Sequence, residues 1–169
     1  MKIYLMNPEG WKLYEGTLEE LGPELAKRNI SISTKASVGD GARVGAGAIV
    51  GAWAIVGAWA IVGAGARIGT RSSVGAGASV GAGGIVGDGA RVKSSYGIIV
   101  MGPLGSSQAM LTAYPHKDTI WIGTGRFLGP IVAFELEVQV AHGDNEHGKA
   151  YAAVLDFVRA HFKAEREGR

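Results

Sequence analysis

Residues 36–63 read ASVGDG-ARVGAG-AIVGAW-AIVGAW-AIVG. The same six-residue period runs from position 32 to position 92 without a slip. It places eleven β-branched aliphatic residues in phase: Ile32, Val38, Val44, Val50, Val56, Val62, Ile68, Val74, Val80, Val86 and Val92. A period of six does not match the helical turn of about 3.6 residues, and regularly spaced glycine destabilises a helix. The pattern therefore predicts a solenoid of short strands and corners, in which the aliphatics form a continuous ladder.

Two further positions repeat in phase with the aliphatics. Glycine follows each aliphatic from Val38 to Val86, and a small residue stands two positions before each aliphatic from Val38 onward. Because glycine adopts backbone conformations that other residues resist, we expect these glycines to form the corners. The small residues should then lie beside the corners and the aliphatics should fill the interior. The residue directly before each aliphatic should face outward.

This repeat resembles the hexapeptide-repeat superfamily, whose fold is a left-handed parallel β-helix. The resemblance covers about sixty residues and implies a triangular prism with three hexapeptides in each coil. It implies three to four coils here, and a strand spacing of about 4.8 Å would make the prism roughly 15–20 Å tall. The predicted fold class is thus mostly β: this β-helix, an N-terminal capping helix and a small α+β C-terminal domain.

Composition divides the chain into four parts. They are an N-terminal cap (residues 1–31), the β-helix (32–95), the α+β domain (96–163) and a charged, frayed tail (164–169). Within the cap, residues 1–5 predict an edge strand and residues 7–10 predict a turn. Thr17 and Glu20 have the spacing of a capping box, followed by a short helix whose leucines would cover the open end of the solenoid.

The C-terminal part predicts short strands at residues 97–101, 109–114 and 119–122. Residues 130–141 fit two structures, because residues 134–140 alternate like a strand while Ile131, Phe134 and Val138 have helical spacing. Asp144 is placed to begin a last helix as its N-cap. One face of that helix would carry Tyr151, Val154, Leu155, Val158 and Phe162.

Four short motifs stand out in this part: GPLGS at residues 102–106, MLTA at 110–113, GTGRF at 123–127 and HGDNEHG at 142–148. They are similar to a module of tailed-phage and prophage proteins that often follows hexapeptide repeats. The resemblance covers residues 96–163 and implies a helix at 130–141. That module usually has cysteine where this chain has Arg126, so a role that depends on the thiol does not carry over.

Charge and composition narrow the function classes. Residues 32–95 hold six basic and two acidic residues, within a chain of net charge +2 that contains no cysteine. This basicity is too sparse for a nucleic-acid groove, and disulfides and thiolate metal sites are excluded. No apolar run is long enough to span a membrane, and residues 1–6 are too short for a signal peptide. We expect a soluble cytoplasmic protein, in the host cytoplasm if it is phage-encoded.

The outward-facing residues single out one coil. Ile49, Ile55 and Ile61 precede successive core valines, so they lie on three faces of that coil, and Trp53 and Trp59 stand at its corners. A monomer rarely displays a continuous apolar surface of this kind. We expect a homotrimer interface, which is the habit of the superfamily that the repeat resembles. Scattered surface residues, or cover for the N-terminal segment, are the alternatives.

The repeat lacks the residues that enzymes of the resembled superfamily use. Acyltransferases need a histidine general base near the subunit interface, and zinc hydratases of the γ-carbonic-anhydrase type need three histidines from neighbouring faces. The repeat contains no histidine and no inserted loop; His116, His142, His147 and His161 all follow it. We therefore predict no catalytic residue and no cofactor, with an acyltransferase as the less favoured alternative.

Basic residues suggest an anion site. Arg67, Arg71, Arg91 and Lys93, with Lys35, lie on the outside of the predicted prism, and the planar fork of arginine suits phosphate. In a trimer these residues would line equivalent grooves between subunits. The C-terminal domain would close each groove with five further residues: Tyr114, Arg126, His142, Asp144 and His147. The alternative is that these charges only solubilise a glycine-rich prism.

Two classes of function follow from these patterns. The first is a trimeric, phage-type protein that sequesters a small anionic, nucleotide-like ligand without turnover. The second is a structural module that trimerises and presents the C-terminal domain in a phage particle. His142, Asp144, Glu146 and His147 could also be interpreted as metal ligands, but their spacing matches no established site and a helix-capping loop explains it equally well. We predict no metal.

Overall fold

The computed structural model describes the backbone of residues 1–167 and the side chains of residues 1–164. Its centre is a parallel β-helix of about three turns built from eleven very short strands. These are β3 (Ser31–Ile32), β4 (Ser37–Val38), β5 (Ala42–Val44), β6 (Ile49–Val50), β7 (Ile55–Val56), β8 (Ile61–Val62), β9 (Arg67–Ile68), β10 (Ser73–Val74), β11 (Ser79–Val80), β12 (Ile85–Val86) and β13 (Arg91–Val92).

The strands stack into three parallel sheets, which form the faces of the prism. Face A contains β5, β8 and β11; face B contains β3, β6, β9 and β12; face C contains β4, β7, β10 and β13. On face C, Ser37 pairs with Ile55, and Ile55 pairs with Ser73. Each step covers three hexapeptides, which confirms the predicted coil length.

The aliphatic ladder fills the interior, as the period predicts. Val44, Val56, Val62, Val74 and Val80 are fully buried. The small residues two positions earlier are also buried, among them Ala42, Ala48, Ala54, Ala60, Ala66 and Ala78. Each buried valine contributes roughly 1.5–3 kcal/mol of hydrophobic stabilisation. Repetition of this contact in every coil therefore stabilises the solenoid.

The repeat contains two glycine positions with different roles, and our expectation for the first was wrong. Glycines that directly follow an aliphatic do not have left-handed φ angles; at Gly57 a Cβ would lie 2.4 Å from the amide nitrogen of Ala76 in the next coil. Close packing of successive coils excludes a side chain there. The left-handed corner residue lies three positions after the aliphatic, as at Gly77 with φ 67°.

The N-terminal segment extends face A. Strands β1 (Lys2–Asn7) and β2 (Gly10–Glu15) form an antiparallel hairpin around the predicted turn. Strand β1 also pairs in parallel with β5, with Ile3 opposite Ala42. The prediction of an edge strand at residues 1–5 was therefore wrong: β1 is internal, and the edge is β2, which the sequence did not predict.

A short helix, α1 (Gly22–Ala26), follows the hairpin. The predicted capping box forms before it, since the Thr17 amide donates to Glu20 Oε2 at 2.7 Å and the Glu20 amide donates to Thr17 Oγ1 at 3.2 Å. The hydrogen bond from the Thr17 backbone lowers the pKa of Glu20. Leu21 and Leu25 are buried in the solenoid core. Closure of the open end of the solenoid by α1 stays a prediction.

The C-terminal part is a four-stranded antiparallel sheet with two helices. The strands are β14 (Ile99–Leu104), β15 (Ala109–His116), β16 (Thr119–Thr124) and β17 (Phe127–Pro130), and they are adjacent in that order. The helices are α2 (Ile131–His142) and α3 (Glu146–Glu167). The predicted helix at 130–141 is confirmed, whereas β17 was not predicted.

Helix α3 buries the predicted apolar face through Tyr151, Leu155, Val158 and Phe162. Its N-cap is Asn145 instead of Asp144, because Asn145 Oδ1 accepts hydrogen bonds from the amides of His147 and Gly148. The backbone of α3 continues to Glu167, and the fraying of the charged tail (residues 164–169) stays a prediction. Gly168 and Arg169 lie outside the described residues.

Strand β15 completes the last coil of the solenoid. In earlier coils, strand amides donate to the next coil, as Arg67 does to the carbonyl of Gly84 at 2.8 Å. In the last coil, the Ile85 amide donates to Thr112 Oγ1 at 2.8 Å and the Gly87 amide to the Tyr114 hydroxyl at 2.9 Å. Two side chains of β15 thus replace the carbonyls of a missing coil and prevent unpaired backbone groups.

Candidate functional site

The predicted interface residues lie on one coil, which we call the apolar belt: Ile49, Trp53, Ile55, Trp59 and Ile61. Ile49 is on face B, Ile55 on face C and Ile61 on face A. Trp53 stands at the corner between faces B and C, and Trp59 at the corner between faces C and A. Exposure is highest around face C, at 58% for Trp53, 53% for Ile55 and 66% for Trp59. The belt is therefore most apolar across face C.

Backbone strain marks the same region. Every sixth residue from position 41 to position 89 has a left-handed φ angle, and six of these nine residues are glycine. The other three are Trp53 (φ 60°), Trp59 (φ 60°) and Arg71 (φ 55°). A side chain in this conformation costs roughly 1–2 kcal/mol. Such strain often occurs at functional sites, and here it falls on three exposed residues at corners of face C.

Both tryptophans contact the coil that precedes them. The Trp59 indole covers Gly41, where a Cβ would come within 2.6 Å of the ring. At the neighbouring corner, the Lys35 ammonium lies 5.6 Å from the centroid of the Trp53 ring. Each partner occupies the same corner as its tryptophan, one coil earlier in the sequence. The indoles are thus positioned by these contacts while most of their surface stays exposed.

The arginines of the predicted anion site surround the corner between faces B and C. Arg67 pairs with Ile49 of the belt, Arg71 follows Trp53 by one coil at the corner, and Arg91 pairs with Ser73 on face C. None of the three has an ion-pair partner among the described residues. The carboxylate at this corner, Asp88, accepts a hydrogen bond from the Thr70 amide at 2.7 Å.

Two residues of the predicted site differ in their availability to a ligand. Lys93 follows β13 and is exposed. Tyr114 is fully buried, and its ring belongs to the solenoid core. Burial raises the pKa of the Tyr114 hydroxyl. The prediction that Tyr114 offers a stacking ring to a surface groove was therefore wrong; the residue supports the last coil instead.

A second group of predicted residues meets in the C-terminal domain. Arg126 and His142 both line an open cavity of about 440 Å³ between the β14–β15 loop, the β16–β17 turn and the two helices, which we call the C-terminal cavity. Asp144 lines a different cavity, of about 210 Å³, together with Lys149. His147 lies beside His142, with ring centroids 5.6 Å apart. Arg126 and His142 thus share a site that does not include the arginines of the solenoid.

Aromatic rings form one wall of the C-terminal cavity. The ring centroids are 5.0 Å apart for Phe127 and Phe134, 5.4 Å for Phe134 and Tyr151, and 5.9 Å for Tyr151 and His142. Phe127, Phe134 and Tyr151 were not predicted as site residues. Phe127 is adjacent to Arg126 in the sequence, which was an available signal. The other two come from separate helices, so their meeting depends on the tertiary fold.

The histidines are dispersed over the C-terminal domain. His116 packs on Trp121, and burial lowers its pKa. His161 Nε2 lies 2.9 Å from the carbonyl oxygen of Tyr96. Within the described residues, no group of three or more histidine, cysteine, aspartate or glutamate side chains is arranged to hold a metal ion. No described helix combines the length and apolar character needed to cross a membrane.

Comparison with known proteins supports the repeat. Residues 35–70 match the family model described as bacterial transferase hexapeptide (six repeats). No curated protein matches the chain. The matched residues contain strands β4 to β9, and the same coil-to-coil register continues beyond them to β13. The solenoid of this protein is a hexapeptide-repeat β-helix.

Proposed function

We propose that the chain is a non-catalytic homotrimer that binds, and thereby sequesters, a small anionic, nucleotide-like ligand at its subunit interfaces. The observation that carries this proposal is the backbone strain at the two corners of face C. Trp53, Trp59 and Arg71 hold a conformation for which the same chain uses glycine at six equivalent positions. Folding favours glycine there. The three side chains are therefore best explained by what they contact outside their own subunit.

The shape of the belt supports association between copies of this chain. The belt occupies a single coil, so its residues lie at one height along the solenoid. A symmetry axis parallel to the solenoid places the same coil of each copy at that height. The apolar belt of one subunit then packs against the belt of the next. Ile55 and the two tryptophans would be the buried anchor residues that contribute most of the interface energy. Three copies are proposed because the repeat resembles a superfamily that forms trimers.

The arginines next to the belt support an anionic ligand. Arg67 and Arg71 lie one coil after Ile49 and Trp53, at the margin of the proposed interface. Unpaired guanidinium groups at such a margin would repel one another across subunits unless an anion lies between them. A phosphate accepts two hydrogen bonds from each arginine fork. We propose binding without turnover, since all four histidines follow the repeat.

Light scattering tests the assembly. We expect a particle of three times the 17.5 kDa chain mass at micromolar concentration. Ile55→Asp should give a folded monomer, because a carboxylate buried against a second subunit is unpaired. Leu13→Asp is the control, since Leu13 is also exposed (45%) but lies on strand β2, away from the belt. A monomeric wild-type protein would contradict the proposed trimer.

Calorimetry against cyclic and ADP-ribose-type nucleotides tests the ligand. Arg71→Ala should weaken binding by about tenfold or more, the effect of losing a charged hydrogen bond. Arg43→Ala is the control, because Arg43 is on face A, where its guanidinium lies 5.8 Å from the Tyr4 ring. No binding tighter than about millimolar, or unchanged binding after Arg67, Arg71 and Arg91 are replaced by alanine, would remove the ligand from the proposal.

One observation favours a structural trimerisation and presentation module as the second candidate. Helix α2 exposes an apolar stripe of Val132, Leu136 and Val140, of which Val140 is 89% exposed. A parallel trimer would present three such stripes at the same end of the solenoid. A stable trimer that binds none of the nucleotides would favour this candidate, with a phage particle as the proposed setting.

A further inference from the structure

We infer that the C-terminal cavity is a separate ligand site, which takes a small planar ring bearing one anionic group. All of its residues come from one subunit and none belongs to the apolar belt. The inference is therefore independent of the trimer and of the anion site at the solenoid. The size of the cavity lies within the range of roughly 300–1,000 Å³ that is usual for small-molecule sites.

The aromatic wall determines the body of the ligand. Phe127, Phe134, Tyr151 and His142 form an unbroken series of ring contacts along the cavity. Tyr151 and His142 lie nearly parallel, at 26°, whereas Phe134 and Tyr151 are nearly perpendicular, at 87°. Rings in both orientations allow a planar ligand to stack on one ring and contact the edge of another. An aliphatic chain would use this wall less well.

Arg126 determines the charge of the ligand. It occupies the tight turn between β16 and β17, where Thr124 pairs with Phe127, so the turn fixes its backbone at the cavity. Its guanidinium has no ion-pair or hydrogen-bond partner among the described residues. A carboxylate or a phosphate would accept two parallel hydrogen bonds from this fork. The unpaired cation thus favours an anionic group on the ligand.

Polar groups around the cavity restrict the ligand further. The Tyr151 ring is buried, but its hydroxyl forms no hydrogen bond within the described chain, so it can donate one to a ligand. Ser106 and Ser107 add hydroxyls from the β14–β15 loop. Glu137 also lines the cavity, and its carboxylate repels additional negative charge. One anionic group is therefore favoured over a polyphosphate.

Titration calorimetry on the 169-residue chain tests the site with five probes: inorganic phosphate, benzoate, phenyl phosphate, AMP and ATP. The protein carries alanine at Arg67, Arg71 and Arg91, so the proposed interface site cannot contribute and the two proposals fail or succeed separately. We expect phenyl phosphate, and at least one of benzoate and AMP, to bind at least about tenfold more tightly than inorganic phosphate. These probes carry a ring that contacts the aromatic wall, whereas inorganic phosphate does not. ATP should bind more weakly than AMP.

Arg126→Gln should weaken binding of phenyl phosphate by about tenfold or more, and Tyr151→Phe by about threefold, since each removes a hydrogen bond to the phosphate group. Arg126→Lys keeps the charge but loses the fork, so its affinity should fall between that of the triple-alanine parent protein and that of Arg126→Gln. Thermal unfolding confirms that each variant is folded. The site is refuted if no ring-bearing probe binds, or if Arg126→Gln binds as the parent protein does. ATP binding as tightly as AMP would refute the single-anion restriction.

Discussion

The solenoid and the C-terminal domain achieve stability through different kinds of contact. In the solenoid, each core residue meets its equivalents in the neighbouring coils, as Val62 meets Val44 in the coil before it and Val80 in the coil after it. In the C-terminal domain each contact occurs once, as between Phe134 on α2 and Tyr151 on α3. The first arrangement tolerates little variation in spacing, whereas the second depends on a few large side chains from distant segments.

The solenoid also depends on the C-terminal domain for its hydrogen bonding. A stacked solenoid leaves amides at its last coil that have no further coil to donate to. Thr112 and Tyr114 of β15 accept two of these hydrogen bonds. The non-repeating domain is therefore part of the stability of the repeating one, as well as the carrier of the C-terminal cavity.

The largest effect that we predict tests coil spacing in the solenoid. Gly57→Ala should destabilise the protein by about 3 kcal/mol or more, because the added methyl overlaps backbone atoms of the next coil and cannot be accommodated by a rotamer change. Gly77→Ala is the matched control. Its Cβ would meet no atom within 4 Å, so only the left-handed φ opposes the change, at about 1 kcal/mol.

Chemical denaturation at one fixed protein concentration measures both variants, since oligomerisation makes apparent stability depend on concentration. Equal losses of stability in Gly57→Ala and Gly77→Ala would show that coil packing does not require glycine directly after each core aliphatic. The solenoid would then tolerate variation in its spacing, in contradiction of the difference drawn between the two regions.

The sequence predicted the solenoid well because its contacts are periodic. The coil-to-coil register, the buried valines and the single coil that carries the belt all follow from counting. The role of the glycine after each aliphatic could not be predicted from the sequence. A repeated glycine is equally consistent with close packing of the backbone and with a left-handed φ angle. The strained residues were visible in retrospect: Trp53, Trp59 and Arg71 interrupt a series of glycines at one position of the repeat.

The C-terminal domain was less predictable because its contacts join distant segments. Tyr114 resembles any strand tyrosine until β15 is placed against the last coil. Asp144 and Asn145 are adjacent and both are favourable N-caps, so the sequence could not fix the start of α3 to one residue. The cavity likewise required Arg126, Phe134 and Tyr151 to be brought together from a turn and two helices.

A smaller effect tests the junction between the two regions. Tyr114→Phe keeps the buried ring but removes the oxygen that accepts from the Gly87 amide, and an unpaired buried amide costs about 1–3 kcal/mol. Tyr96→Phe is the control, because Tyr96 is 77% exposed. Denaturant unfolding of both variants measures the difference. If Tyr114→Phe is as stable as wild type, the hydrogen bond at the last coil does not contribute to stability.

Tyr114 also predicts a pH dependence. Burial raises its pKa above the ordinary value of 10.0, so the unfolded chain ionises at lower pH than the folded chain. The neutral hydroxyl therefore contributes stability that is fully present below about pH 10 and is lost as the pH rises through the folded-state pKa. We expect the free energy of unfolding to fall above about pH 10. The fall should be smaller in Tyr114→Phe, and equal falls in both proteins would contradict the assignment.

The smallest effect separates function from stability at one corner of the solenoid. Arg71 has φ 55°, so Arg71→Gly should relieve roughly 1–2 kcal/mol of strain and lose roughly 0.5–1 kcal/mol to the greater entropy of unfolded glycine. A net gain of about 0.5–1 kcal/mol is expected from these two terms. Arg67→Gly is the matched control, because Arg67 lies on strand β9 with no left-handed φ. This variant should lose about 0.5–1 kcal/mol of stability instead.

Denaturant unfolding would thus give changes in stability of opposite sign for two arginines on one coil. Losses of equal size would mean that Arg71 is not strained, and its presence would then need no functional explanation. A gain in stability at Arg71, accompanied by weaker nucleotide binding, is the outcome expected of a residue retained for a ligand at the expense of the fold.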